Sequence, residues 1–554
     1  MAENNLSSVE KIKMQSDGLR GTIEDGLRDE ITGAISEDDQ ALIKFHGMYQ
    51  QDDRDRRDER AEKKLERLYS FMIRLRLPGG FLLPEQWIAM HHVAGEFSTG
   101  IIKITTRQTI QLHGLLKRNI RPTIESFSGA KLDSIATCGD INRNVLCSAH
   151  PKQSRIHERV FAYADAISQR LMPKTKAYYE IWLNKEKISD TSEEQDPLYQ
   201  DRYLPRKFKI AIGIPPNNDV DVFANDIALI AIIENNELKG FNIGVGGGLS
   251  TTHGNPETYG RLATVMGFCE AGEATLKTIY EVLTVQRDFG NRSDRKLARL
   301  KYTVDRMGID TFKKEVEKRT GILLQPARPF QFTSREDWYG WEENHEGKWY
   351  YTVFVENGRV LDDGKVNLKT ALLEVAKTGK ANFRFTGNQN VILGDISLAD
   401  KNLINEILEK YQIIDHTALA SSVRKNAMAC VAFNTCPLAL AEAQRYLPSL
   451  LSKVEVILKR YSLQDEKIIL RMTGCPNGCA RPNLAEIGLI GTAYGFYNLH
   501  IGGDRYGTRL NRIYKQHLDE GGILQELDQL FQLYAADREK KESFGDFSIR
   551  KALV

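Results

Sequence analysis

The chain has 554 residues, a formal net charge of +2, and 41% hydrophobic and 27% charged residues. This length suits about three or four domains, and the composition is that of an ordinary globular protein. The near-neutral charge argues against a nucleic-acid binder, and no apolar stretch approaches the roughly 20 residues that span a bilayer. The N-terminus lacks a basic region followed by an apolar one, which predicts a cytoplasmic protein.

Residues 1–70 are polar and strongly charged. Residues 50–60 mix acidic and basic side chains, a pattern that favours a solvated face. The preceding residues 45–49 are apolar enough to dock on the body of the protein. The pattern therefore predicts a charged N-terminal arm over 1–70.

Two segments alternate apolar and polar residues with the period of a strand, 71–77 and 102–114. A helical segment near 85–87 separates them. A further strand is predicted at 210–213, and Lys207 and Lys209 just before it share one face because they are two residues apart. The predicted strands thus carry basic side chains on ordered elements, where an anion would offset the cost of burying them: Arg74, Arg76, Lys103 and Arg107.

A glycine run at 244–248 follows a short predicted strand at 241–243. It does not match a dinucleotide fingerprint, because residues 249–254 read as a loop and not as the start of a helix. We expect this run to let a flat macrocycle lie against the backbone. Helical periodicity predicts helices over 257–283 and 296–302.

Two cysteine pairs lie near the C-terminal end, Cys430 with Cys436 and Cys475 with Cys479. Four thiolates can hold an iron–sulfur cluster, and a proline directly after a cysteine is common in such runs. Structural zinc is the competing interpretation, although the gap in the first pair is wide for it. The odd count of seven cysteines and the absence of a signal peptide argue against disulfides.

The chain carries a weak internal repeat, because three stretches recur in the same order. Residues 104–112 align with 385–393, 143–147 with 425–430, and 244–248 with 501–503. In this alignment Cys147 falls near Cys430, but an inert buried thiol is the expectation for it, and Cys138 and Cys269 are expected to be core or surface thiols. The first copy carries the basic residues, whereas the second has Asn388 opposite Arg107 and carries the paired cysteines. The repeat predicts one site at the seam of two halves.

The two cysteine motifs, residues 45–55 and the C-terminal 545–547 together resemble the sulfite and nitrite reductase family over nearly the whole chain. Members of that family hold a [4Fe-4S] cluster beside a sirohaem. The resemblance implies an α+β fold with duplicated sirohaem-domain halves and paired ferredoxin-like half-domains about a pseudo-twofold axis. The implied segments are the arm 1–70, ferredoxin-like halves at 71–138 and 336–414, and sirohaem-domain halves at 139–335 and 415–554.

The resemblance also implies roles for individual residues. Substrate binding falls on Arg74, Arg143, Lys207 and Lys209, with the arginines binding the oxyanion and the lysines delivering protons. Contacts to sirohaem fall on Arg107, Gln111, His113 and Asn477. Without the resemblance, His113 is equally well interpreted as a structural histidine. The cluster ligands are Cys430, Cys436, Cys475 and Cys479, and Cys479 also bridges to the sirohaem iron.

The implied activity is the six-electron reduction of sulfite to hydrogen sulfide in cysteine biosynthesis. The implied donor is a separate flavoprotein subunit that carries FAD and FMN and takes electrons from NADPH. A ferredoxin-dependent sulfite or nitrite reductase is the alternative within the family. A zinc-stapled module that binds anions or RNA is the alternative from another class, and the missing basic domain argues against it.

Overall fold

The computed structural model describes residues 5–174, 180–183, 186–190 and 196–554. No helix in this part of the chain has the length and apolarity needed to cross a bilayer. Its α-helices are Ser8–Gln15, Ile23–Arg28, Glu37–Leu42, Arg57–Glu62, Pro84–Phe97, Ile120–Gly129, His157–Arg170, Glu273–Phe289, Leu300–Met307, Ile309–Thr320, Leu368–Thr378, Lys401–Lys410, Ile413–Leu419, Ser422–Lys425, Leu447–Arg460, Glu520–Asp537 and Phe544–Arg550.

Two five-stranded antiparallel sheets exchange their edge strands. The first, in spatial order, is Met48–Asp52, Tyr69–Arg74, Ile110–Leu115, Ile102–Ile104 and Arg359–Val360. The second is Gly340–Glu343, Trp349–Val353, Val391–Ile396, Asn382–Phe385 and Phe81–Leu82. Each sheet therefore ends on a strand from the other half of the chain. One hydrophobic core serves both sheets, with Trp87 stacked on Phe383 at 4.6 Å.

Two further five-stranded sheets are mixed and share one topology. The N-terminal mixed sheet runs Thr264–Glu270, Glu237–Val245, Ile227–Glu234, Ile210–Gly213 and Leu146–Cys147. The C-terminal mixed sheet runs Arg512–Leu518, Phe496–Ile501, Ile487–Ala493, Leu470–Thr473 and Ala427–Ala429. In both sheets the last two pairings are parallel and the others antiparallel. A separate hairpin joins Glu180–Leu183 to Glu186–Asp190.

The sheet registers confirm the duplication and correct one detail of its alignment. Gln108 and Gln389 occupy the same turn in the two antiparallel sheets, with φ of 52° and 72°. Cys147 pairs with Ile212, which is the third residue of strand Ile210–Gly213. In the other copy, Ala429 pairs with Met472, which is the third residue of the matching strand Leu470–Thr473. Cys147 therefore corresponds to Ala429 and not to Cys430. It is fully buried, as expected.

Several of the predicted elements differ from the structure in extent, and the helix expected over 296–302 begins at Leu300 and ends at Met307. Residues 102–114 form two strands and not one, because the Thr105 amide donates to the Thr109 carbonyl at 2.8 Å and closes a turn around Gln108. The helix expected over 257–283 is a loop, the strand Thr264–Glu270 and then the helix Glu273–Phe289. That strand pairs with Glu237–Val245, so long-range pairing overrides the local helical periodicity.

Candidate functional site

The four cysteines lie on two loops that pack against each other beside the C-terminal mixed sheet. Cys430 directly follows Ala427–Ala429, and its Sγ accepts the Gly474 amide at 3.4 Å. The second loop holds Cys475 and Cys479. A Cβ at Gly474 would lie 2.4 Å from the Ala441 carbonyl oxygen, so only glycine lets the two loops approach this closely.

The thiols lie within electrostatic reach of one another. Burial raises the pKa of Cys430, and the charges of Cys479, Cys475 and Cys436 raise it further. Burial and then Cys479 raise the pKa of Cys436 to about 12. Burial and then Cys479 also raise the pKa of Cys475. Neighbouring thiols that resist ionisation are stable as thiolates only with a cation among them, because metal coordination deprotonates a thiol. The donor set therefore fits a metal centre.

Cys479 is the exposed cysteine of the four, and it lines a cationic cavity. The Thr106 hydroxyl donates to the Cys479 carbonyl at 2.9 Å, which ties the cysteine loop to the 105–109 turn. Gly248, from the predicted glycine run, also lines the cavity. The basic and polar residues around it come from both copies of the repeat: Arg107, Lys207, Lys209, Asn225, Arg299, Asn477 and Arg481.

Lys207 and Lys209 keep part of their surface on this cavity. The surrounding protein still lowers the pKa of both lysines well below the usual value, through burial first and then through neighbouring cations. For Lys207 the neighbouring cations are these four: Arg206, Lys209, Arg143 and Arg299. Such crowding of positive charge is unfavourable without an anion, so the cavity favours an anionic ligand.

The remaining predicted residues lie around the cavity without lining it. Arg74 donates to Gln111 Oε1 at 2.8 Å, and Arg143 donates to the Gly139 carbonyl at 3.2 Å. His113 faces the first cysteine loop, with Nδ1 3.1 Å from Thr435 Oγ1, and burial followed by Lys103 holds its pKa well below the usual value. Among the described residues, Arg74 Nε, Arg107 Nε and His113 Nε2 are buried polar atoms without a hydrogen-bond partner. They fit a large polar ligand.

Sequence reasoning missed Arg299, Asn225 and Arg481. Arg299 pairs with Asp226 at 2.7 Å and reaches the cavity from the segment before helix Leu300–Met307. Arg481 is two residues after Cys479, so its position beside the motif was a usable signal. By contrast, Arg76 pairs with Asp133 at 2.6 Å and takes no part in the cavity.

Asp221 joins the two copies beneath the cavity. Its buried carboxylate accepts from Arg335, Arg471 and Arg481 at 3.1, 2.5 and 2.6 Å. Asp221 and Arg481 are counterparts in the duplication, each six residues before the matching strands that begin at Ile227 and Ile487, with left-handed φ of 47° and 54°. The ion pair therefore lies at the pseudo-twofold axis.

We expect Asp221→Asn to destabilise the protein by about 3–5 kcal/mol, because it leaves buried guanidinium groups uncompensated. Burial alone would raise the pKa of Asp221, but the arginines outweigh it and hold the pKa far below its usual value. The carboxylate's contribution to the free energy of unfolding is therefore present above about pH 4 and is lost as the pH falls. Urea unfolding at pH 7 and pH 3 measures both effects. Asp305→Asn, which breaks a surface pair with Arg261, is the control and changes stability little.

Two known protein families match parts of this chain. The nitrite and sulphite reductase 4Fe-4S domain matches residues 163–324, which lie in the copy without the paired cysteines. The nitrite/sulfite reductase ferredoxin-like half domain matches residues 64–127 and 342–411, one in each antiparallel sheet. The predicted α+β fold with duplicated halves is confirmed by these matches and by the sheet topology.

Full-length relatives show the same family. The sulfite reductase [NADPH] hemoprotein beta-component of Leptospira biflexa is 63% identical over 100% of both chains. That of Staphylococcus haemolyticus is 50% identical over 100% of this chain and 96% of the relative. The solved structure of Mycobacterium tuberculosis NirA protein matches with a TM-score of 0.79 at 25% identity, covering 98% of this chain and 96% of that one. This chain belongs to the nitrite and sulfite reductase family.

Proposed function

We propose that this chain is the haemoprotein component of an NADPH-dependent sulfite reductase, which reduces sulfite to hydrogen sulfide with sirohaem and a [4Fe-4S] cluster. One observation carries the proposal: the exposed cysteine of a four-thiol centre opens into a cavity crowded with cations. A zinc staple explains the thiols but not the cavity. The names of the full-length relatives support the same activity.

The thiols of Cys430, Cys436, Cys475 and Cys479 would hold the cluster, with Cys479 shared with the sirohaem iron. Arg107, Gln111, His113 and Asn477 would contact the sirohaem. The unpartnered atoms of Arg107 and His113 and the lining position of Asn477 support this assignment. When bound, the two cofactors supply the electron transfer that sulfite reduction needs, and the protein orients them.

The basic residues would bind and protonate the substrate. Arg74 and Arg143 offer planar donor groups for an oxyanion, because a guanidinium stays charged at any working pH. Lys207 and Lys209 would hold protons at Nζ and donate them to the oxygens that leave as water. A lysine with a lowered pKa is suited to this role, since it gives up a proton more readily than an ordinary ammonium.

The relatives' designation as a beta-component implies an alpha-component, and we propose that this partner is a flavoprotein that carries FAD and FMN and is reduced by NADPH. The physiological role would be sulfite reduction for cysteine biosynthesis. The isolated chain is therefore expected to be inert with NADPH alone and active with reduced methyl viologen.

Reconstitution tests this division of labour. The isolated chain would be mixed with NADPH, with NADPH plus the flavoprotein, or with reduced ferredoxin, and sulfide would be measured. Sulfide from NADPH alone would refute the two-component proposal. Sulfide from ferredoxin but not from the flavoprotein would assign the chain to the ferredoxin-dependent branch, and kcat/KM for nitrite against sulfite would establish the substrate.

The charged run at 50–60 contacts the cysteine loop directly and is not simply a solvated face. Arg54 donates to the carbonyls of Cys436 and Ala439 at 3.0 and 2.8 Å, and its guanidinium lies 4.2 Å from the centre of the Phe433 ring. Asp53 accepts from Asn434 Nδ2 at 2.9 Å. These contacts hold the loop that carries the first cysteine pair.

We expect Arg54→Ala to make the cluster less stable, because hydrogen bonds from a charged donor contribute about 1.5–3 kcal/mol each. The decay of the cluster's visible absorbance in air would be several-fold faster than in the wild type. Arg56→Ala is a matched control two residues away, since Arg56 pairs with Glu59 on the surface. Equal decay rates in the two variants would contradict a role for Arg54 in holding the loop.

A further inference from the structure

A second group of ligand-type side chains lies outside the cysteine centre and the cationic cavity. His150, Asp219 and Asp337 are all buried, and one ligand atom from each lies within 4.8 Å of the others. They come from three separate parts of the chain: His150 follows strand Leu146–Cys147, Asp219 follows Ile210–Gly213, and Asp337 precedes Gly340–Glu343.

One oxygen of this group has no hydrogen-bond donor in the part of the chain that the structure describes. Asp219 is 1% exposed, and its Oδ2 accepts the Ala149 amide at 2.9 Å, but its Oδ1 has no partner there. A buried carboxylate oxygen without a donor is costly, because it loses its hydration and gains nothing in return. It is also an available ligand atom.

The charge of the group is unbalanced. Among the described residues, no Lys or Arg hydrogen-bonds or forms an ion pair with His150, Asp219 or Asp337. With both carboxylates ionised, the group carries a net charge of −2 beside a neutral imidazole and −1 beside a protonated one, and it reaches zero only if a carboxylate also takes up a proton. A divalent cation would neutralise the first of these states, and burial makes that neutralisation valuable.

The Asp337 carboxylate accepts hydrogen bonds from neighbouring side chains, as the carboxylate ligands of metal ions commonly do. Its Oδ2 accepts from the Thr386 hydroxyl at 2.5 Å and from Asn390 Nδ2 at 2.7 Å, and its Oδ1 accepts from Asn388 Nδ2 at 3.2 Å. Hydrogen bonds of this kind orient a ligating carboxylate and are typical of metal sites. His150 Nε2 lies 3.2 Å from Asp337 Oδ1, a separation compatible with two ligands of one ion.

We propose that His150, Asp219 and Asp337 bind one divalent first-row transition-metal ion that fastens the N-terminal mixed sheet to the second antiparallel sheet. One imidazole and two carboxylates suit Zn²⁺, Mn²⁺ or Fe²⁺. The neighbouring backbone also joins these parts, because a Cβ at Gly387 would lie 2.5 Å from the Asp219 carbonyl oxygen. The ion would be structural, as all three ligands are buried.

The test is metal analysis of the holoenzyme, expressed with added Zn²⁺ or Mn²⁺. Labile sulfide and sirohaem absorbance give the iron due to the cofactors, so that any further metal can be counted per chain. His150→Gln can still hydrogen-bond Asp337 but is a poor ligand, and Asp219→Asn keeps an acceptor for Ala149. The matched control is His157→Gln, a buried histidine bonded to the Ser148 carbonyl and outside the group.

We expect one extra divalent ion per chain in the wild type and in the His157 control, and at least about tenfold less in the two ligand variants. Chelation should lower the Tm of the wild type and leave that of His150→Gln unchanged. No extra ion in the wild type, or an ion retained in both ligand variants, would overturn the proposal and leave a hydrogen-bonded triad only. If a variant fails to fold, the metal content of the wild type still decides.

Discussion

Cys479→Ser is expected to reduce sulfite reduction to the background rate. Cys479 belongs to the four-thiol centre and is also its exposed member, on the cationic cavity. Serine is a poor ligand for the cluster, and in the proposed arrangement the same substitution removes the ligand shared with the sirohaem iron. The variant should therefore lose electron transfer and also cofactor content.

Three measurements check this expectation: sulfide production with reduced methyl viologen, iron and labile sulfide per chain, and the sirohaem absorbance. Cys269→Ser is the matched control, since Cys269 is buried in the N-terminal mixed sheet with Sγ 3.6 Å from Thr278 Oγ1. It should keep both cofactors and near-normal turnover. A Cys479→Ser protein that did the same would refute the bridging role.

Lys207→Met is expected to lower kcat by about 10²–10⁴-fold while the cofactors stay bound, because general-acid catalysis contributes this much. Methionine keeps the length of the side chain and removes the charge and the proton. Lys207→Arg should restore much of the substrate affinity but little of kcat, since arginine does not release a proton at working pH. The split between KM and kcat therefore separates binding from proton delivery.

The lowered pKa of Lys207 also predicts a pH dependence. Its protonated form is lost as the pH rises through that pKa, so kcat of the wild type should decline toward high pH. Lys207→Arg should lack this decline. A wild-type and an arginine profile of the same shape would assign proton delivery elsewhere, with Lys209 the next candidate.

The duplication supplies a control for this substitution. Lys467 is the counterpart of Lys207, since each lies three residues before the matching strands Leu470–Thr473 and Ile210–Gly213. Its side chain is 57% exposed and pairs with Glu336 at 2.7 Å, away from the cavity. Lys467→Met should leave kcat unchanged. The two copies thus share one fold, but only the first places this lysine on the cavity.

Local patterns in the sequence were sufficient to predict several features of the protein. The paired cysteines, the lysines two residues apart and the repeated stretches 104–112 and 385–393 are each readable from the sequence itself. Their chemistry depends on residue type and spacing, which a single sequence displays directly. The fold class and the duplication followed from the family resemblance and the repeat, and the sheet topology agrees with both. The roles of the individual site residues remain predictions.

Other features depend on contacts between distant parts of the chain. Thr264–Glu270 is a strand because it pairs with Glu237–Val245, although its local pattern indicated a helix. The run at 50–60 looked like a solvated face, but Arg54 contacts a loop that lies almost four hundred residues further along the chain.

The sequence alone determined which residues could bind iron, anions and cofactors, because ligand chemistry is a property of side-chain type. Only the tertiary structure decided which of them meet. Arg299 enters the cavity of Cys479, and Asp221 pairs with Arg481 across the two copies, because the sheets bring these loops together. His150, Asp219 and Asp337 form a group for the same reason. Burial then sets the energies, since a charge inside the protein must be offset by whichever neighbours the fold supplies.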